Sequence, residues 1–200
     1  MMTIFGKQFS RAWRSRCVVL LCLLAVAGDW LWFSRPVTAS QQLRGYAVSG
    51  VQVIDVVTPS GGPTQLHGIA TEDSEEIQKL LGLLDQYPTN RKWDWSWLLG
   101  EGFGDYNGKD PYSSVWVVLS FRDADGKAGS LQYIVSETGR VQVFEPNRFG
   151  DVPAGVGRFG AEGAKQYFAA LHRFYEQKVD SPLWVPSTPT EEERSTGVDA

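Results

Sequence analysis

The stretch from Val115 to Val143, VWVVLSFRDADGKAGSLQYIVSETGRVQV, decides the fold. Val115, Val117, Leu119 and Phe121 alternate with Trp116, Val118, Ser120 and Arg122, the period-two pattern of a strand with two substantial faces. Asp123-Ala124-Asp125-Gly126-Lys127 has the Asp and Gly chemistry of a hairpin turn, and Leu131, Tyr133 and Val135 begin the return strand. A second turn at Thr138-Gly139-Arg140 leads to Val141, Val143 and Glu145. Three strands with tight turns make an antiparallel meander.

Downstream, Pro146 to Gly160 is a Gly- and Pro-containing connection, and a helix is predicted over residues 161–178. Ala164, Phe168, Leu171 and Tyr175 form its apolar stripe, widened by Tyr167 and Phe174. From Asp180 the chain reads SPLWVPSTPTEEERSTGVDA, rich in proline, charge and hydroxyls, so residues 181–200 are expected to be a disordered tail.

Upstream, Tyr46 to Val57 is strand-like, with Val51, Val53 and Asp55 on one alternating set and Gln52, Ile54 and Val56 on the other. Pro59, Gly61, Gly62 and Pro63 break it, and a short second strand runs from Gln65 to Ala70. Asp73 with Glu76 three residues on is a capping-box pattern, and Ile77, Leu80, Leu81 and Leu84 follow as the stripe of an amphipathic helix. The order is strand, strand, helix, long aromatic connection, three-strand meander, helix. This predicts an α+β fold: an antiparallel sheet of about five strands with two amphipathic helices packed on one face, spanning residues 46–180.

Ahead of that domain, residues 17–33, CVVLLCLLAVAGDWLWF, are apolar except for Asp29. The run is membrane-directed and sits at the lower limit for spanning a hydrocarbon core of about 30 Å. Trp30, Trp32 and Phe33 favour a retained transmembrane anchor, because aromatic side chains belong at the headgroup level. The alternative is a cleaved signal peptide, with Val18 to Ala27 as its apolar core and Val37-Thr38-Ala39 as the small-residue site. In either case residues 1–16, with Lys7, Arg11, Arg14 and Arg16, form a basic cytoplasmic flank, and the positive-inside bias sends the C-terminal domain outward. Residues 34–45, with Pro36, read as a linker.

The charge divides along the same boundary. The chain has a net charge of -4 over 200 residues. Residues 1–39 hold five basic and one acidic residue, which leaves 14 basic and 22 acidic, or -8, for residues 40–200. An acidic body argues against nucleic acid, whose phosphates call for clustered cations. Cys17 and Cys22 are the only cysteines and both lie in the apolar run, so the outward domain has no disulfide, no thiolate nucleophile and no cysteine metal site.

Catalytic motifs are missing as well. His67 and His172, the only histidines, have no partner at a metal-ligand spacing and read as structural. No nucleophile-elbow or phosphate-loop pattern occurs. Asp105, Asn107 and Asp110 fit a calcium loop poorly and read as a turn, and no cofactor or metal is expected.

What remains is the segment TNRKWDWSWLLGEGFGDYNGKDPYS, too long for a structureless connection in a compact domain unless it is functional or conceals a short element. Trp93, Trp95, Trp97, Phe103, Tyr106 and Tyr112 are its candidate ligand- or partner-binding residues, since exposed aromatics stack on sugar rings and anchor protein interfaces. Core packing over the sheet, and contact with lipid headgroups beside Trp30 and Trp32, are the competing roles. The functional expectation is a non-catalytic, membrane-tethered extracytoplasmic module for a cell-envelope protein or glycan. The alternatives are a carboxylate-based envelope hydrolase and a sensory or inhibitory domain acting through the anchor.

Overall fold

The computed structural model describes residues 11–60, 62–91, 112–122, 125–144, 154–156 and 160–187. In chain order the elements are α1 (Arg11–Phe33), α2 (Ala39–Gln42), β1 (Ala47–Thr58), β2 (Gln65–Thr71), α3 (Ser74–Asp85), β3 (Thr89–Arg91), β4 (Tyr112–Arg122), β5 (Ala128–Ser136), β6 (Val141–Phe144), β7 (Ala154–Val156), α4 (Gly160–Lys178) and β8 (Val185–Ser187). The chain divides into residues 1–35 and residues 36–200.

Residues 36–200 form the α+β unit. Its main sheet has six strands in the order β6-β5-β4-β1-β2-β8, every neighbouring pair antiparallel. The expected meander is β4, β5 and β6, and its turns carry Gly126 and Gly139 at φ of 79° and 93°, a left-handed conformation that glycine adopts without a Cβ clash. Two further short strands, β3 and β7, pair with each other in a separate ribbon. β3 is a short element at the front of the long aromatic connection.

Register explains why one face is core. Ile69, Val53, Val117, Tyr133 and Val143 lie in one row across five strands, and Thr71, Val51, Leu119 and Leu131 in the next. All but Thr71 join a single apolar cluster with Ile77, Leu80, Leu81 and Leu84 of α3 and Ala164, Tyr167, Leu171 and Tyr175 of α4. Fully burying each aliphatic side chain of this kind is worth about 1.5–3 kcal/mol. In α4 the innermost aromatic is Tyr167, fully buried, while Phe168 is only partly covered. Tyr167 thus lies at the centre of the stripe, where Phe168 was expected, and stacks on Tyr87 at a ring separation of 4.7 Å.

Two boundaries differ from the sequence expectation. Within residues 34–45, α2 is part of the domain. Thr38 caps it with a reciprocal capping box to Gln41, Ala39 and Leu43 are buried, and Ser40 donates to both carboxylate oxygens of Asp85. Val37 and Thr89 exchange backbone hydrogen bonds of 2.7 and 2.9 Å. Composition concealed this because the apolar contribution comes from two separated residues.

At the other end, residues 181–187 of the expected tail are ordered. β8 adds to the free edge of β2, and Trp184 is 3% exposed within the core. Proline and hydroxyl content signalled disorder, but one indole and one strand edge outweigh it. Close approach depends on Gly68, where a Cβ would lie 2.6 Å from the Ser187 carbonyl oxygen.

In residues 1–35, α1 is 23 residues long, a rise of about 35 Å. Its apolar run of residues 17–33 covers about 25 Å of that, and no helix among the described residues is long and apolar enough to cross a membrane. Val18, Leu21, Leu24, Leu31 and Trp32 are exposed, and Arg35 stacks its guanidinium 3.9 Å above the Trp32 ring.

Candidate functional site

Of the aromatic residues predicted to form a binding surface, Trp93, Trp95, Trp97, Phe103 and Tyr106 lie outside the described residues, as do Asp105, Asn107 and Asp110. Tyr112 is described: it opens β4, half-buried, opposite Thr58 at the end of β1.

The structure instead draws together three residues that are far apart in sequence. The third row of the inward sheet face runs Val141, Val135, Val115, Asp55, His67. Its apolar character stops at β1, where Asp55 occupies a position that in the neighbouring rows is valine. Asp55 is 8% exposed, and its Oδ1 is buried without a hydrogen-bond partner. His67 lies beside it on β2 and is exposed. His172 reaches in from α4, placing Nε2 3.7 Å from Asp55 Oδ1 and Nδ1 3.7 Å from Glu176 Oε1 one helical turn on. Both separations exceed hydrogen-bond length. The Phe168 ring flanks His172 at 5.7 Å.

Electrostatically the aspartate is held in opposition. Burial raises its carboxyl above the ordinary value, His172 and His67 pull it down, and Glu176 pushes it up, with burial the largest effect. Burial, with a smaller contribution from Asp55, also raises the Tyr175 phenol. Among the described residues, no group of three or more His, Cys, Asp or Glu side chains is placed to hold a metal ion. The cluster can accept a proton, and it can accept a hydrogen bond from a donor brought to Oδ1.

A second polar cluster is fully satisfied. Glu76, 2% exposed, accepts from Lys178 Nζ at 2.7 Å, Trp184 Nε1 at 2.9 Å and Lys79 Nζ at 3.0 Å. These bonds, that to Lys178 foremost and that to Trp184 next, lower its carboxyl to about 2. The capping-box expectation is half met: Asp73 accepts from the Glu75 and Glu76 amides, but the Glu76 side chain turns inward to Lys178 and Trp184. The Asp73 amide donates instead to Thr71 Oγ1.

Sequence reading treated the two histidines as unpartnered and did not single out Asp55. One signal was present, since Asp55 follows Val51 and Val53 on the alternating set that faces the core. A charge on such a set calls for a partner or a function. The partner could not be named, because His172 lies 117 positions downstream and reaches Asp55 only when α4 packs on the sheet.

Comparison with protein-family models, with curated proteins and with solved structures finds no match for this chain.

Proposed function

We propose that this protein is a membrane-tethered, non-catalytic binding or accessory domain held outside the cytoplasm by α1. The observation that carries the reading is the continuous exposed apolar surface of α1, with Val18, Leu21, Leu24, Leu31 and Trp32 all more than half exposed. Arg14 and Arg16 precede it and Arg35 follows. Exposed apolar surface of this extent on one helix is costly in water and favourable in a bilayer, where the tryptophans and arginines suit the headgroup level.

Retention of the helix has separate support. Cleavage after Ala39 would remove Val37, Thr38 and Ala39, which provide a backbone bridge, a helix cap and a buried side chain of the folded domain. The contact surface in this reading is the aromatic segment with Trp93, Trp95, Trp97, Phe103, Tyr106 and Tyr112, and the partner is an envelope protein or glycan.

Membrane fractionation combined with intact mass tests the tether. The expected result is a full-length chain in the pellet, released by detergent and not by high salt or alkaline carbonate. A soluble chain beginning at Ser40 would overturn it.

A further inference from the structure

Asp55 stands out because its Oδ1 is buried without a hydrogen-bond partner and burial outweighs the attraction of His172 and His67. An ionised carboxylate with a buried, partnerless oxygen destabilises a folded chain unless a donor or counter-charge completes it. His172 Nε2 lies 3.7 Å from that oxygen, too far for a hydrogen bond and close enough that a shift of less than an ångström would make one. His172 is carried on α4, whose Lys178 holds Glu76 and, through it, Trp184 at the start of the C-terminal strand. The contact therefore sits between the sheet and the helix layer that packs on it.

We infer that Asp55 and His172 form an acid-closed latch between the sheet and the last helix. Uptake of one proton by the pair turns a loose contact into a charge-assisted hydrogen bond that fastens α4 to β1.

The groups facing it are known from each element around it. β1 supplies Asp55, β2 supplies the exposed His67, β4 presents the apolar Val115, and α4 supplies Tyr175 and Glu176 beside His172. Glu176 lies 3.7 Å from His172 Nδ1, with its own side chain largely in water. His67 also attracts the Asp55 charge and is the competing imidazole. The raised Asp55 carboxyl acts with the same sign: the folded chain holds a proton that the unfolded chain releases. That contribution is complete below the ordinary aspartate range and fades as pH rises through the raised value.

The test uses the full-length chain in detergent micelles. Folding equilibria of wild type, D55N, H172Q and D55N/H172Q are measured at about pH 5.5 and about pH 8, with H67Q alongside. A coupling between positions 55 and 172 of about fivefold or more in the folding constant is expected at the lower pH, falling close to none at the higher. D55N alone should unfold at a higher temperature than wild type at about pH 8. Amide exchange in α4, corrected for intrinsic rates, should slow on acidification in wild type and not in H172Q.

Coupling that is equal at both pH values, or absent at the lower, overturns the latch, and acid dependence lost in H67Q but kept in H172Q overturns its assignment to His172. Should H172Q fail to fold, α4 exchange in D55N decides. Acid-dependent protection equal to wild type would then overturn the proposal.

Discussion

Glu76 and Asp55 are both buried carboxylates against α4, and their surroundings push them in opposite directions. Glu76 receives three donors from Lys178, Trp184 and Lys79, so its charge is favoured and its carboxyl falls to about 2. Asp55 Oδ1 is buried without a hydrogen-bond partner, and burial raises the carboxyl. The difference is one of hydrogen bonding to the charged form. For Glu76 the consequence has a definite sign. Its depressed carboxyl contributes stability that is present above about 4.5 and lost as pH falls toward about 2. E76Q should therefore flatten the acid limb of the stability profile. E76A, which leaves Lys178 and the Trp184 indole without their shared acceptor, should cost about 3 kcal/mol at neutral pH. Chemical denaturation of both variants across the acid range checks this.

At the scale of elements, the two edges of the sequence-defined domain behave differently from their composition. β8 is only three residues long, and its pairing to β2 is held from both sides: Trp184 enters the core next to Phe174, and Thr71 Oγ1 donates to the Leu183 carbonyl at 2.7 Å. Removing the indole with W184A should cost about 3–5 kcal/mol, since a large aromatic leaves a cavity behind and Glu76 Oε2 keeps only its bond from Lys178. G68V tests the strand separately. It places a branched side chain where even a Cβ would meet Ser187, so β8 should detach while α3 and α4 remain packed. Amide exchange read along β2 distinguishes the outcomes: loss of protection confined to Gly68–Ala70 is expected, and unchanged protection would show that the strand contributes nothing.

These elements also show what pattern reading can reach. α3 was legible to the residue because Ile77, Leu80, Leu81 and Leu84 repeat at helical spacing and all four are buried. The meander was legible because turn chemistry and alternation agree. α2 and β8 were not, since four and three residues are too short for any period to register. Asp55 on the core-facing set was a signal passed over, and nothing local pointed to His172.

For the molecule as a whole, the placement of α2 bears on the proposed retention of α1. A chain beginning at Pro36 keeps the Thr38 cap, the Val37 bridge and buried Ala39, whereas one beginning at Ser40 loses all three. The cap alone is worth about 1 kcal/mol. The shorter chain should accordingly melt several degrees lower, at about 4–8 °C for each 1 kcal/mol lost in a domain near 100 residues and less in a larger one. Equal melting temperatures would remove the structural objection to cleavage after Ala39.

The amino-acid order alone determined the α+β class, the meander, the two amphipathic helices and the basic-then-apolar N-terminal run, since each rests on a local period, turn or charge run. Tertiary structure alone decided that the sheet has a sixth strand, that residues 37–43 belong to the domain, and that Asp55 meets His172. Those features depend on single side chains brought together across long separations, and a lone Trp, Asp or His carries no period that announces its partner before the chain has packed.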